Sequence, residues 1–369
     1  MDIQTLPLEN SAQYLSANEN VFSNYLTDDV ITYLPEYGQL YKLVEENQDL
    51  LTPVIYDVFE TRKIKNKSHQ LPLVGLSFGS DKPDAPAITF VGGIHGIERI
   101  GSQVLLSYLH TLIQRARWDK SVGKLLKRIR FNFLPVMNPV GMFHGTRANG
   151  NGVDLMRNSP IDAKEKVPWL VGGQRYSSRL PWYRGNGELE RENQILIDFL
   201  KRDCLHRQFN LVIDCHSGFG LPDRLWIPYA YRKRPPGKVA NYFALYQLWQ
   251  NTYPYNNYDF EPQSRHYITH GDLWDHVSKI VKREYEQPFL SLTLEMGSWN
   301  WVRKKPSQLF SYQGLFNPNV EHRWNRVQRS HLVLFDFLAQ ATANFSYWLP
   351  TKKNKKSLRK QAVQHWYRS

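Results

Sequence analysis

Ala87-Ile88-Thr89-Phe90-Val91-Gly92-Gly93-Ile94-His95-Gly96-Ile97-Glu98 changes character twice within a single short stretch. Its first five residues are apolar or β-branched and read as a buried strand. Gly92-Gly93 then lets the backbone turn sharply and approach its neighbours closely. Beyond Glu98, the recurrence of Val104, Leu105, Tyr108, Leu109 and Leu112 predicts a helix over residues 100–115. A strand that runs through a glycine turn into a helix is half of a βαβ unit, and it decides the fold class. The same stretch sets an imidazole and a carboxylate at i and i+3, where an opening helical turn puts both side chains on one face.

The pattern repeats along the chain. Residues 129–136, 209–214 and 289–295 are further apolar strands, separated by amphipathic helical stretches at 188–201, 238–249, 273–283 and 325–347. Upstream, residues 37–50 have helical spacing, and 53–59 and 71–78 alternate as strands around a Lys/Asn/Ser turn. Continuous apolar strands alternating with helices imply an α/β fold with a mixed, mostly parallel central sheet and helices on both faces. Without internal repeats or a Pro/Gly/Ser linker, the expected organisation is an N-terminal extension over residues 1–32, one domain over 33–350, and a basic C-terminal tail over 351–369.

Composition narrows the class. A hydrophobic fraction of 41% and an aromatic fraction of 14% supply a sizeable core and exclude a disordered chain. No apolar run approaches the ~18–20 residues that span a bilayer. The first residues carry no basic start followed by an apolar stretch, so cytoplasmic residence is expected. Two cysteines, Cys204 and Cys215, make no disulfide framework, and Cys215 sits within an expected strand as a buried thiol. Net charge is +13, of which seven Lys and Arg residues after Thr351 account for more than half. A second basic run extends from Arg115 to Arg130. Such runs are most often solvated faces or loose ends, and no nucleic-acid motif accompanies them.

A third candidate ligand joins the first two. Leu211-Val212-Ile213-Asp214-Cys215 leads to His216, and Ser217-Gly218 ends the strand, so His216 falls at the carboxyl end of the sheet, where open α/β sheets hold ligands. By itself His216 reads more readily as a packed histidine bonded to a backbone carbonyl. With His95 and Glu98 it completes a His2Glu set that leaves a fourth position open, the arrangement of a catalytic zinc site. Leu292-Thr293-Leu294-Glu295 places another carboxylate at a strand end. Arg147 and Gly152-Val153-Asp154-Leu155-Met156-Arg157-Asn158 add fixed positive charge.

In this order the motifs resemble the zinc metallocarboxypeptidase family, the carboxypeptidase A/B type. Asn138-Pro139-Val140-Gly141 is similar to that family's Asn-Pro-Asp-Gly segment, and the likeness extends over residues 37–338. The resemblance implies a zinc carboxypeptidase-like fold, one zinc ion held by His95, Glu98 and His216, and Glu295 as general acid/base. It further implies that Arg147 stabilises the oxyanion and that Arg157 grips a terminal carboxylate. Where the family has Asn immediately before that arginine, this chain has Met156, which offers no N–H donor. An altered recognition of the substrate's end is therefore expected. His276 is the expected counterpart of the family's mobile pocket tyrosine, with Tyr267 as the other candidate.

The implied substrate is a peptide or an acyl-amino acid, and the positive charge suits an acidic one. Two other readings compete. A zinc deacylase of the aspartoacylase or succinylglutamate desuccinylase type shares the HxxE…His plan but lacks the correspondence through Arg147 and Asp154. A binding module that has lost catalysis, using its basic surface, conflicts with metal and base positions that are all filled.

Overall fold

The structure, a computed structural model, describes residues 23–64 and 66–368. Most of the expected N-terminal extension, residues 1–22, lies outside them. Eight strands form one sheet: β1 (Thr52–Glu60), β2 (Gln70–Gly79), β3 (Ala87–Gly92), β4 (Arg130–Leu134), β5 (Asn210–Ser217), β6 (Asp223–Ile227), β7 (Tyr258–Pro262) and β8 (Phe289–Met296). Their order is β1-β2-β4-β3-β5-β8-β6-β7. The central β4, β3, β5 and β8 are mutually parallel, and β6 and β7 are parallel to each other. Antiparallel pairs join β1 to β2, β2 to β4, and β6 to β8. The expected mixed sheet is present, with its parallel heart in β4-β3-β5-β8.

Burial on both faces explains why β5 and β8 read as continuous apolar runs, since every residue of each is buried. One face packs against helices Pro35–Glu45, Arg99–Trp118, Val239–Thr252 and Leu332–Ala343. The other packs against helices Arg191–Asp203 and Leu273–Glu284. The expected helix over 325–347 is three, Glu321–Ser330, Leu332–Ala343 and Phe345–Trp348. The first break falls at His331, whose buried Nδ1 accepts the Tyr258 hydroxyl at 2.7 Å.

Helix Asp28–Tyr33 and the segment after residue 350 belong to the packed body further than composition implied. Val30, in helix Asp28–Tyr33, is fully buried in a cluster with Leu34, Tyr37, Val136 and Met142, so this part of the expected extension is integral. The basic C-terminal segment forms helix Lys355–Tyr367, docked through Ala362 and Trp366, while Lys352, Lys353, Lys355, Lys356, Arg359 and Lys360 remain exposed. Three of the seven cations of the earlier basic run are ion-paired. Arg115 pairs with Asp119 and Asp336, Arg117 with Asp49, and Arg130 with Asp81.

Candidate active site

The carboxyl ends of β3, β5 and β8 converge on one cavity of about 550 Å³, within the usual range for small-molecule sites. His95 and Glu98 come from the turn between β3 and helix Arg99–Trp118 rather than from the helix itself. That turn is pressed against another: a Cβ on Gly96 would lie 2.0 Å from the Gly141 carbonyl carbon, so only glycine fits. His216 is the next-to-last residue of β5, and parallel pairing sets it directly beside Glu295 on β8.

Three side chains meet closely. His95 Nδ1 lies 2.8 Å from Glu98 Oε1, His216 Nδ1 lies 3.0 Å from Glu98 Oε2, and the two Nδ1 atoms are 3.1 Å apart. The potential ligand atoms of His95, Glu98 and His216 all fall within 4.8 Å of one another, and all three residues are buried. On the far side of each ring, Nε2 faces a carboxylate: His95 donates to Asp154 Oδ1 at 3.1 Å, and His216 to Asp214 Oδ2 at 2.7 Å. Such outer carboxylates fix the tautomer and raise ligand basicity. Against burial, Asp214 and Glu98 hold the His216 ring well above its ordinary pKa, so the space between the two Nδ1 atoms and the anionic Glu98 calls for positive charge. A cation meets that need, and the donor set of two imidazoles and one carboxylate suits zinc.

The surroundings keep the anions ionised. Burial pushes Glu98 upward, but the two histidines outweigh it and hold the carboxyl well below the usual range. Asp154 behaves likewise: burial is outweighed by Arg147 and then by His95. Arg147 donates from Nε to Asp154 Oδ2 at 2.8 Å and from Nη1 to Glu98 Oε1 at 3.1 Å, so it borders the ligand cluster. Burial works against its charge, yet Asp154 and Glu98 raise its pKa above the ordinary value. Glu295 is the contrast. Burial and the nearby Glu98 charge push its carboxyl up to about 8.

Arg157 and Met156 both line the cavity. Arg157 is held by backbone carbonyls, donating from Nε to Val171 O at 3.2 Å and from Nη1 to Met156 O at 3.3 Å. Gly271, at φ +72°, brings the following loop onto the Arg157 backbone so closely that a Cβ would lie 1.7 Å from the Arg157 carbonyl oxygen. His276 does not reach this site. It is not among the cavity-lining residues; it sits on helix Leu273–Glu284, where burial and then Lys279, Arg283 and Lys201 depress its pKa. Tyr267 lines the cavity instead. The N-terminal turn of the helix points its interior residues inward: Asp272 accepts from Asp275 N, and Trp274 donates to Asp214. His276, two positions after Trp274, is half-buried outside the cavity lining.

Sequence reasoning assigned no role to Asp214 or Trp274. Trp274 Nε1 donates to Asp214 Oδ2 at 2.7 Å, the same oxygen that receives His216 Nε2. The available signal was the Asp-Cys-His spacing: on a strand, residues 214 and 216 face the same way. Asp154 had been noted only as part of a motif.

A family model described as "Zinc carboxypeptidase" matches residues 60–306. Among curated proteins, the carboxypeptidase N catalytic chain of Rattus norvegicus is 26% identical over 265 residues, covering 62% of this chain and 55% of that protein. Carboxypeptidase E of Caenorhabditis elegans is 37% identical over 139 residues, covering 33% of this chain and 29% of that protein. The chain thus spans about half the length of the first relative and less of the second. Among solved structures, thrombin activatable fibrinolysis inhibitor aligns with a TM-score of 0.60 at 18% identity, over 87% of this chain and 79% of its own. Carboxypeptidase A from Helicoverpa armigera aligns at 0.57 and 17% identity, over 84% of this chain and 72% of its own. These structures share the fold. The extent of the family match makes the chain a member of the zinc carboxypeptidase family, and its His95, Glu98 and His216 are grouped so that they could hold one metal ion.

Proposed function

We propose that the chain hydrolyses a peptide or amide bond next to the released end of its substrate, with Glu295 as the proton carrier. The observation that carries this reading is the position of Glu295. Strand pairing sets it beside His216, it lines the same cavity as the ligand cluster, and among the described residues it has no ion-pair partner. Glu98 is committed to His95, His216, Arg147 and the Ser217 N–H. Asp272, also in the cavity wall, caps a helix. Glu295 is therefore the carboxylate free to exchange a proton.

His95, Glu98 and His216 would hold zinc, and the bound ion would supply the Lewis acidity that polarises a carbonyl and acidifies water. Glu295 takes the proton from the attacking water and delivers it to the leaving amine, so its raised proton affinity serves the second half of the cycle. Arg147 supplies preorganised positive charge where the carbonyl oxygen becomes negative. Arg157 lines the cavity and holds the leaving residue's carboxylate, or a group replacing it; Met156, also in the lining, contributes packing and no donor. The substrate accordingly differs from a plain peptide gripped by an Asn–Arg pair. Two buried free thiols, with burial pushing Cys204 up to about 12, suit the reducing compartment expected from the sequence.

Comparing zinc content and hydrolysis in the wild type and Glu295→Gln tests this reading, using peptides with free or amidated ends and acyl-amino acids. Zinc retained with hydrolysis reduced ~10²–10⁴-fold is expected. Full activity in the variant would sink it.

A further inference from the structure

Two long segments of the chain carry no acidic side chain: neither residues 224–258 nor residues 337–369 contain Asp or Glu. The fold brings the basic parts of both together. Helix Lys355–Tyr367 packs on helix Val239–Thr252, and Leu358, Ala362 and Trp366, spaced by four, form its inner stripe. Its attachment extends to the loop before that second helix, where Arg359 Nη1 donates to Pro236 O at 3.1 Å. Lys238 is the N-cap of the second helix, and burial and then the charge of Lys355 push its ammonium down to about 8. Cations far apart in sequence are thus neighbours in space.

Lys233 and Arg234 on the loop, and all six cations from Lys352 to Lys360, are exposed. Among the described residues, none of these eight enters an ion pair. Elsewhere on the surface, Arg115, Arg117 and Arg130 each find a carboxylate within 3.0 Å. Like charges held together without a counter-charge repel one another and raise the local concentration of anions, so this face gains most from an anionic partner.

Three features specify that partner. Six of the eight charges are lysines, compact point charges that suit a diffuse anionic layer better than a fixed pattern of single phosphates, which the planar arginine fork would match. Tyr347, 88% exposed, stands on helix Phe345–Trp348, which also packs on Val239–Thr252. An amphipathic ring beside a lysine cluster suits the headgroup layer of a bilayer. The patch also lies away from the cavity: Lys238 Nζ donates to the backbone oxygen of Phe289, the first residue of β8, roughly 20 Å along the strand from Glu295. A surface engaged there leaves the cavity open. Among the described residues no helix is long and apolar enough to cross a membrane, so the contact is peripheral.

We propose that this face, built from helix Lys355–Tyr367, the lysines before it and the loop over residues 232–238, docks the protein on bilayers that contain acidic phospholipids. The inference stands independently of the hydrolytic reading above.

Flotation of the full chain, loaded with its metal, on lipid vesicles provides the test. Phosphatidylcholine vesicles with about one-third phosphatidylserine are expected to bind it at ~0.1 M salt and release it by ~0.5 M, and pure phosphatidylcholine vesicles to leave it free. Each lysine near such a surface contributes about fivefold, so the triple variant Lys353→Gln, Lys355→Gln, Lys356→Gln should lower partitioning roughly 100-fold. Arginine at the same three positions should preserve it. Lys120→Gln, Lys124→Gln, Lys127→Gln, which removes three exposed lysines of the earlier basic run, should change it less than ~5-fold. An unchanged thermal midpoint verifies that each variant is folded. No binding to phosphatidylserine vesicles, or equal losses in the two glutamine triples, overturns the proposal. Binding to duplex DNA that the first triple abolishes, with none to the vesicles, would assign the face to a polynucleotide and overturn the lipid reading.

Discussion

His95 and His216 turn their Nδ1 atoms toward each other at 3.1 Å, and each ring is fixed from behind by a carboxylate. That arrangement needs positive charge between the rings and Glu98, supplied by a bound cation or, without one, by a proton on His216, whose pKa Asp214 and Glu98 raise well above its ordinary value against burial. The protein purified with its metal should contain one zinc per chain, and its removal should cost stability. Chelation is expected to lower the thermal midpoint and stoichiometric zinc to restore it, since a ligand bound only by the folded state stabilises in proportion to RT ln(1 + [L]/Kd). An unchanged melting curve after verified zinc removal would contradict this account.

Asp214 is buried between Trp274 Nε1 and His216 Nε2, receiving both on one oxygen at 2.7 Å. Asp214→Asn removes the anion that orients His216 and strengthens it as a ligand. Zinc affinity should fall ~10–100-fold, as for other outer-sphere partners of metal-binding histidines. A competition titration against a chromophoric chelator measures the change. The same affinity as wild type would reduce Asp214 to a packing role.

Met156 tests the recognition of the substrate's end. Met156→Asn places a donor beside Arg157 in the cavity wall. A hydrogen bond to a charged group contributes roughly 1.5–3 kcal/mol. The ratio of kcat/KM for free-acid over amidated peptides should rise by about 10-fold or more. If the ratio stays constant, the methionine is not what alters end recognition.

The chain declared its site more plainly than its sheet edge. His95, Glu98, His216 and Glu295 follow apolar strands or a glycine turn, and such strands are legible because burial on both faces demands unbroken hydrophobicity. β6 and β7 escaped notice because Asp223-Arg224 and Tyr258-Asp259-Phe260-Glu261 carry charges. Those charges are reconciled only in three dimensions, where Arg224 lies 3.7 Å from Glu261 and 3.9 Å from Asp259. Trp226 and Gln263, which line the cavity, were hidden with them. The Trp274–Asp214 contact joins residues 60 positions apart, and no local pattern records it. The same holds for helix Lys355–Tyr367. Its lysines dominate the composition, while its attachment depends on Ala362 and Trp366.

That attachment has a measurable cost. Trp366 is 2% exposed and donates from Nε1 to Phe260 O on β7 at 3.0 Å. Trp366→Ala should destabilise the protein by ~3–5 kcal/mol, the usual range for truncating a buried aromatic. Denaturant unfolding of the full chain checks this. A loss below ~1 kcal/mol would mean that the basic helix is a passive appendage.

Glu192 gives stability a pH dependence. The residue is buried beside Asn149, whose Nδ2 donates to both carboxylate oxygens at 3.2 Å. Asn149 in turn accepts from the amides of Asn151 and Val153 and so shapes the loop that leads to Asp154. Burial pushes the Glu192 carboxyl up to about 7 from 4.5, and the charges of Glu190 and Asp57 add to the shift while Asn149 opposes it. In the unfolded chain the group ionises near 4.5; in the folded chain it keeps its proton until about 7. The folded state therefore binds the extra proton between those values. Its contribution is fully present below pH ~4.5 and is lost as pH rises through ~7, by an amount on the order of 3 kcal/mol. Glu192→Gln cannot ionise, yet keeps a polar partner for Asn149. It should match the wild type near pH 5 and exceed it in stability at pH 8. Denaturant melts at the two pH values decide the matter: an equal difference at both would show that ionisation of Glu192 carries no such cost.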